Sequence, residues 1–171
     1  MVDLATMFVA RQELGAEDAA AIDAGVLELR VRLLAQTPHV GAVLRNVEAV
    51  LESTSTLGPT VREIVILTAL RRSECEVKSR LDIARRRGVT QEMVEAILDE
   101  DWTDPAFNPA EKAAFQFALQ YDAGHLINDS VLEAVQAEFD HAAQVEMAVL
   151  CGQYGAYARL SVGFRLDQMG A

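Results

Sequence analysis

Residues 73–88 read SECEVKSRLDIARRRG, which sets a thiol, a carboxylate and a guanidinium, Cys75, Glu76 and Arg80, within two turns of one expected helix. These groups serve nucleophilic attack, proton transfer and anion binding. Cys75 becomes nucleophilic if the positive end of its helix and Arg80 favour the thiolate. A lone cysteine is more often a small core residue, and no histidine lies nearby in sequence to act as its base. Glu76 and Arg80 stand four apart, the spacing of a pair on one helix face. An exposed pair of that kind contributes only a few tenths of a kcal/mol, roughly 0.2–0.5. In a pocket the same two residues do more: Arg80 grips a carboxylate or stabilises an enolate or lactone oxyanion while Glu76 moves a proton. On that reading Arg80→Met abolishes ligand binding and costs roughly 1 kcal/mol or less of stability. Glu63 completes the set. It is embedded in VREIVILTALRR, where an unpaired carboxylate tends to hold its proton and suits acid–base work, and where an ion pair with Arg80 or a neighbouring helix is the alternative.

The other chemistry-bearing residues are sparser. His39, His125 and His141 show no spacing that gathers a metal on one helix, and no cofactor motif is present. His125 remains able to approach Cys75 in space. Met147, Cys151, Tyr154 and Tyr157 form a stripe at helical offsets, a pattern of core or subunit contact from which Tyr154 can reach a pocket rim. Cys75 and Cys151 alone make neither a disulfide framework nor a structural zinc site, and whether they approach each other is open.

These residues have to be positioned by helices. The 171 residues, 51% hydrophobic and 6% aromatic, fit one domain over 1–171 with an aliphatic core. Helical periodicity recurs and strand alternation does not, so the chain reads as an all-α bundle of about seven or eight helices. Expected helices are Glu17 to Gln36, ending before Pro38; Val40 to Glu52; VREIVILTALRR; the opening stretch, capped by Gly88; a short helix from Thr90 through Leu98; AEKAAFQFALQYDAG, opened by Asn108-Pro109 and ending at Gly124; VLEAVQAEFD; and a long segment from Ala143 to Gln168. Arg85-Arg86-Arg87 falls at a helix end, where cations complement the backbone dipole.

A formal charge of -11 with no sustained basic stripe argues against nucleic acid as a partner. No apolar run reaches the roughly 18 residues that span a bilayer, and MVDLATMFVARQELG lacks the layout of a secretory signal. No membrane association and a cytoplasmic location are expected.

LGPTVREIVILTALRRSECEVKSRLDIARRRGVTQEMVEAIL, followed by FDHAAQVEMAVLCGQYGAYARLS, resembles the carboxymuconolactone decarboxylase family, part of the wider alkyl hydroperoxidase D-like superfamily. The likeness runs over about residues 30 to 165 and rests on the order of its pieces: Arg62-Glu63 opening an apolar helix, Ile83-Ala84-Arg85-Arg86, and Gly88 before Val89-Thr90 and an acidic short helix. The resemblance implies an all-helical fold, self-association as a trimer or hexamer, and a pocket near Glu63. Anchored on Gly88, Arg80 stands where the family's decarboxylases have a histidine, and Cys75-Glu76-Val77 replaces their Tyr-Glu-Trp triplet. The hydroperoxidase branch's Cys-x-x-Cys places hold Ser73 and Glu76, so a dithiol peroxidase is not expected. A register moved by two residues instead makes Cys75 the first cysteine, Lys78 the second and Asp82 the histidine, and loses Gly88.

Two functions follow. One is a cofactor-independent lyase or isomerase acting on a lactone or carboxylated metabolite by proton transfer or decarboxylation. Glu63, Glu76 and Arg80 are then catalytic, and Cys75, Arg80, His125 and Tyr154 contact a small, anionic substrate. The other is a non-catalytic ligand-binding or structural oligomer on the same scaffold.

Overall fold

The computed structural model describes residue 30, residues 33–124 and residues 126–166. Among them all regular structure is helix, beginning with the end of a helix at 33–35. The elements are α1 (Pro38–Thr54), α2 (Pro59–Leu70), α3 (Glu74–Arg86), α4 (Gln91–Leu98), α5 (Pro109–Asp122), α6 (Asp129–Glu138) and α7 (His141–Gly163). Most of the expected first helix, and all residues from 167 onward, lie outside the described residues.

Three of these helices begin on proline, whose fixed φ suits the first helical turn and whose missing N–H is not needed there. Pro38 therefore opens α1 rather than only closing the preceding helix, and α1 starts two residues earlier than the apolar pattern suggested. Asn108 starts α5 with a full capping box: its side chain accepts from Glu111 N, and Glu111 Oε2 accepts from Asn108 N at 2.8 Å. Thr90 and Asp140 cap α4 and α7 in the simpler way, accepting from Met93 N and Ala143 N.

α2 is the central rod. Every residue from Arg62 to Leu70 is buried, because α5 and α7 cover it on two sides and α3 and α4 pack on the rest. Ile64, Val65, Ile66 and Leu67 meet Phe115, Met147, Leu150 and Tyr154 in one continuous core. At roughly 25 cal/mol per Å² of apolar area removed from water, each such side chain contributes about 1.5–3 kcal/mol. So apolar a helix at the centre leaves its two charged residues, Arg62 and Glu63, no route to water. They must find partners inside.

Gly88 follows Arg87, one of those partners. Its φ of +97° closes α3 in the left-handed conformation, with Val89 N donating to Ala84 O at 3.0 Å. A Cβ at this position would lie 2.8 Å from Thr60 Oγ1, the hydroxyl that donates to Arg87 O at 2.8 Å. The absent side chain thus lets α2 clasp the end of α3 at the Arg87 carbonyl.

α7 ends at Gly163, earlier than the apolar pattern continues, in a turn through Phe164 and Arg165. No described helix is long and apolar enough to cross a membrane.

Candidate functional site

Glu63 is wholly buried, and its carboxylate is held from two sides. Arg80 donates from Nε to Oε2 and from Nη2 to Oε1, both at 2.7 Å, a bidentate fork between α3 and α2. Arg87 adds Nη1 to Oε1 at 2.6 Å. Glu52, near the end of α1, is the second carboxylate of the cluster: it accepts from Arg80 Nη2 at 3.1 Å, from Arg87 Nη2 at 2.5 Å and from Arg62 Nη1 at 3.1 Å. Arg62 Nη2 also lies 2.9 Å from Glu52 Oε1 without hydrogen-bond geometry, and its Nε has no hydrogen-bond partner among the described residues.

Burial works against the charge on Glu52, but hydrogen bonds from Arg87 and Arg80 and the nearby charge of Arg62 outweigh it. Its pKa is lowered from 4.5 to about 2. Burial likewise opposes the charge on Arg80, and the Glu63 hydrogen bonds overcome it, raising its pKa above the ordinary guanidinium value. The cluster is a fixed set of ions joining α1, α2 and α3.

Glu76 belongs to a different node. Although it stands four residues before Arg80, it turns away: Arg30 Nη1 donates to its Oε2 at 2.6 Å, and Ser161 Oγ of α7 donates to its Oε1 at 2.7 Å. The Glu76–Arg80 pair suggested by their spacing is therefore not formed, because each finds a buried partner on another helix. Arg30 also lies over the ring of Tyr157, 3.8 Å from its centroid.

Two tyrosines join the nodes. Tyr154 donates to Glu48 Oε1 at 3.0 Å, and Tyr157 reaches Oε2 of the same carboxylate at 3.5 Å. The guanidinium of Arg80 lies 5.4 Å from the Tyr154 ring centroid. Tyr154 is buried rather than on a pocket rim, and burial together with the Glu48 charge pushes both phenols up, Tyr157 to about 12. A polar path thus runs from Glu76 through Arg30, Tyr157, Glu48 and Tyr154 to Arg80 and Glu63.

Cys75 and Cys151 are both free and buried, and they sit in separate apolar groups. Cys75 packs with Leu33 and Leu166, whereas Cys151 lies in the main core. Burial and the charge of Asp122 raise the Cys151 thiol to about 12, which keeps it protonated and poorly reactive near neutral pH. His125 lies outside the described residues. His39 and His141 occupy exposed first turns of α1 and α7.

The structure thus joins Glu63 to Arg80, places Glu76 apart from both, and adds residues that sequence spacing did not single out: Arg30, Glu48, Glu52, Arg87 and Ser161. Arg87 carried one signal, the glycine after it, but a helix-end arginine more often addresses the dipole than a carboxylate on α1. The mild cost expected for Arg80→Met also needs correction, since removing a buried fork that holds an enclosed carboxylate costs more than 1 kcal/mol.

The sequence profile of the Carboxymuconolactone decarboxylase family matches residues 38–120, the span containing Glu52, Glu63, Glu76, Arg80 and Arg87. No curated protein matches. Among solved structures, a crystal structure of an Agrobacterium tumefaciens protein of unknown function, described as a candidate antioxidant defence protein AhpD, superposes with a TM-score of 0.69 at 18% identity, covering 80% of this chain and 94% of that one. At that identity the match establishes the fold, AhpD-like and all-α. Over residues 38–120, which include α2 and α3 of the site, the chain is thus similar to the carboxymuconolactone decarboxylase family, on an AhpD-like all-α fold.

Proposed function

We propose that this carboxymuconolactone decarboxylase-like protein is a non-catalytic ligand-binding or structural oligomer, in which the family's histidine place has become part of an ionic lock. The observation that carries this reading is the fork from Arg80 to the enclosed carboxylate of Glu63. A group meant to grip a substrate anion needs donors open to solvent; here Arg80 is buried, its Nε and Nη2 are engaged by Glu63 and Glu52, and Glu76 has each oxygen occupied. Self-association as a trimer or hexamer goes with this reading. It is supported by the apolar groove between α1 and α7, where Val43, Val47, Val50, Leu51 and Val149 line about 380 Å³. Light scattering at micromolar concentration tests the assembly, and a monodisperse monomer near 18.7 kDa overturns it.

A second reading, a small-molecule enzyme acting on a lactone or carboxylated metabolite, is favoured by the polar path through Glu48 and the two tyrosines. Buried ionisable groups concentrated at a family's site are a known mark of chemistry. Glu76 or Glu63 would move the proton, and Arg80 would exchange Glu63 for the developing oxyanion. A panel of lactones and carboxylated compounds incubated with the full chain separates the two. The first reading expects no turnover above that of Glu76→Gln. Turnover that falls at least tenfold in Glu76→Gln establishes the second.

A further inference from the structure

A second group of arginines converges on Asp122, the last residue of α5. Arg71 Nη1 donates to its Oδ2 at 2.7 Å, Arg159 Nη2 to its Oδ1 at 3.1 Å, and Arg72 Nε lies 3.4 Å from Oδ2. These contacts are unequal in burial. Arg71 and Asp122 are enclosed, with side chains 5% and 3% exposed, so they neutralise each other inside the protein. Arg72 and Arg159 are 56% and 61% exposed, and because Glu100 also pairs with Arg71 at 2.7 Å, the three arginines outnumber the two carboxylates by one positive charge.

Between them opens a cavity of about 240 Å³. Its floor is small and apolar, formed by Ala69 of α2 and by Gly155, Ala158 and Val162 of α7. Gly155 lets Arg159 lie close over the floor: a Cβ there would lie 2.9 Å from Arg159 Nη1, which would have to shift, and 3.4 Å from Asp122 Oδ1. Asp122 meets Arg72 through Nε alone and Arg159 through Nη2 alone, which reaches both Oδ1 and the main-chain O, so further N–H groups on each guanidinium are left for another acceptor. The volume lies just under the roughly 300–1,000 Å³ of drug-sized sites, which suits a compact metabolite.

We infer that this cavity binds a small monocarboxylate with a compact apolar body, its carboxylate bridging Arg72 and Arg159 and its body resting on the Ala69–Ala158 floor. The two guanidiniums supply planar donors matched to a carboxylate. In a chain carrying a formal charge of -11, such a local surplus also marks where an anion is tolerated. The site is separate from the Glu63 lock and from Glu76. It draws on the ligand-binding side of the reading above only in naming a ligand class.

Calorimetric titration of the full chain with benzoate, with cyclohexanecarboxylate, with neutral benzamide and with inorganic phosphate tests the inference, with amide chemical shifts locating the binding. Saturable binding of the two carboxylates is expected, at least tenfold tighter than benzamide and phosphate, with shifts at Gly155 and Gly163. Arg72→Gln/Arg159→Gln is expected to weaken carboxylate binding at least tenfold while the melting temperature stays within a few degrees. Equal binding of benzoate and benzamide overturns the inference, as does equal binding of phosphate, undiminished binding by the double variant, shifts centred on Arg62 and Glu63, or no saturation at millimolar ligand. None of these outcomes alters the stability of Glu63 variants, so a failure here leaves the ionic-lock reading standing.

Discussion

Glu63 and Asp122 are both enclosed carboxylates gripped by more than one arginine, yet the arginines around them live in different solvents. Arg80 is buried with Glu63 and Arg87 is mostly covered, whereas Arg72 and Arg159 stand more than half in water beside Asp122. The same pairing therefore does two jobs. In the enclosed cluster neither partner can be lost without stranding a charge in a medium that solvates it poorly. In the open cluster water replaces any partner that leaves, so the guanidiniums can exchange acceptors at little cost.

The comparison is most directly broken at Glu63. Glu63→Gln removes the charge facing Arg80 and Arg87, and breaking a buried pair by neutralising one partner costs about 3–5 kcal/mol. Urea unfolding of the variant should show a loss of that size. A loss below about 1 kcal/mol would place the cluster with surface pairs. Arg80→Met follows with a loss of about 3 kcal/mol, somewhat less than for Glu63→Gln because Arg87 stays on the Glu63 carboxylate. The two changes should be non-additive in a double-mutant cycle, with a coupling of roughly 0.5–3 kcal/mol. Additive losses would mean that the fork does not hold in solution.

Gly88→Ala sharpens the same contrast without touching a charge. Alanine at a left-handed φ costs about 1–2 kcal/mol, and the new Cβ would press on Thr60. If the Thr60 clasp is what aims Arg87, this variant should also shrink the penalty of a following Arg87→Met. An unchanged Arg87→Met penalty would separate the clasp from the lock.

How far these features were legible differs by kind. Gly88, Asn108 and the helix periods are local signals, and they foretold where α3 and α5 end or begin. Similarity to the family was legible as an order of motifs, and the matching profile covers residues 38–120. The partners were not: Glu76 and Arg80 have ideal spacing for each other, and tertiary packing overrode it because Arg30 and Ser161 on one side, and Glu63 on the other, are closer matches in a buried setting. Glu52 could not be foreseen at all. It lies near the end of a half-exposed helix, and only the packing of α1 against α2 and α3 brings it Arg62, Arg80 and Arg87. A buried ion pair was visible for Glu63 because so apolar a helix demands one, and Arg80 was among the partners expected; the second arginine, Arg87, was not.

Acid should distinguish the clusters next. The Glu52 pKa is depressed from 4.5 to about 2 in the folded protein, so its ion pairs contribute stability that is fully present above pH 4.5 and is lost as pH falls toward 2. Glu52→Gln removes that contribution at every pH. The stability gap between wild type and variant should thus be constant above about pH 5 and should close between pH 4.5 and 2. Because this side chain is partly exposed, screening keeps the gap below what the pKa shift alone implies, and salt should narrow it further. A gap that stays constant down to pH 2 would mean that the carboxylate is not the source.

The smallest effect is expected in the open cluster. Arg72→Gln/Arg159→Gln removes two charges, but Asp122 keeps Arg71 at 2.7 Å, so the enclosed carboxylate is never stranded. Arg71 is itself braced by Glu100 and by the carbonyl of Thr68, so its position does not depend on the two outer arginines. Each lost contact is the partial, solvent-shared kind worth about 0–1 kcal/mol. The unliganded double variant should unfold within about 1 kcal/mol of wild type. High salt should leave that small difference smaller still, as Debye screening acts most on exposed charges. A loss approaching that of Glu63→Gln would show that the outer arginines are structural, and that the two carboxylates differ in location but not in kind.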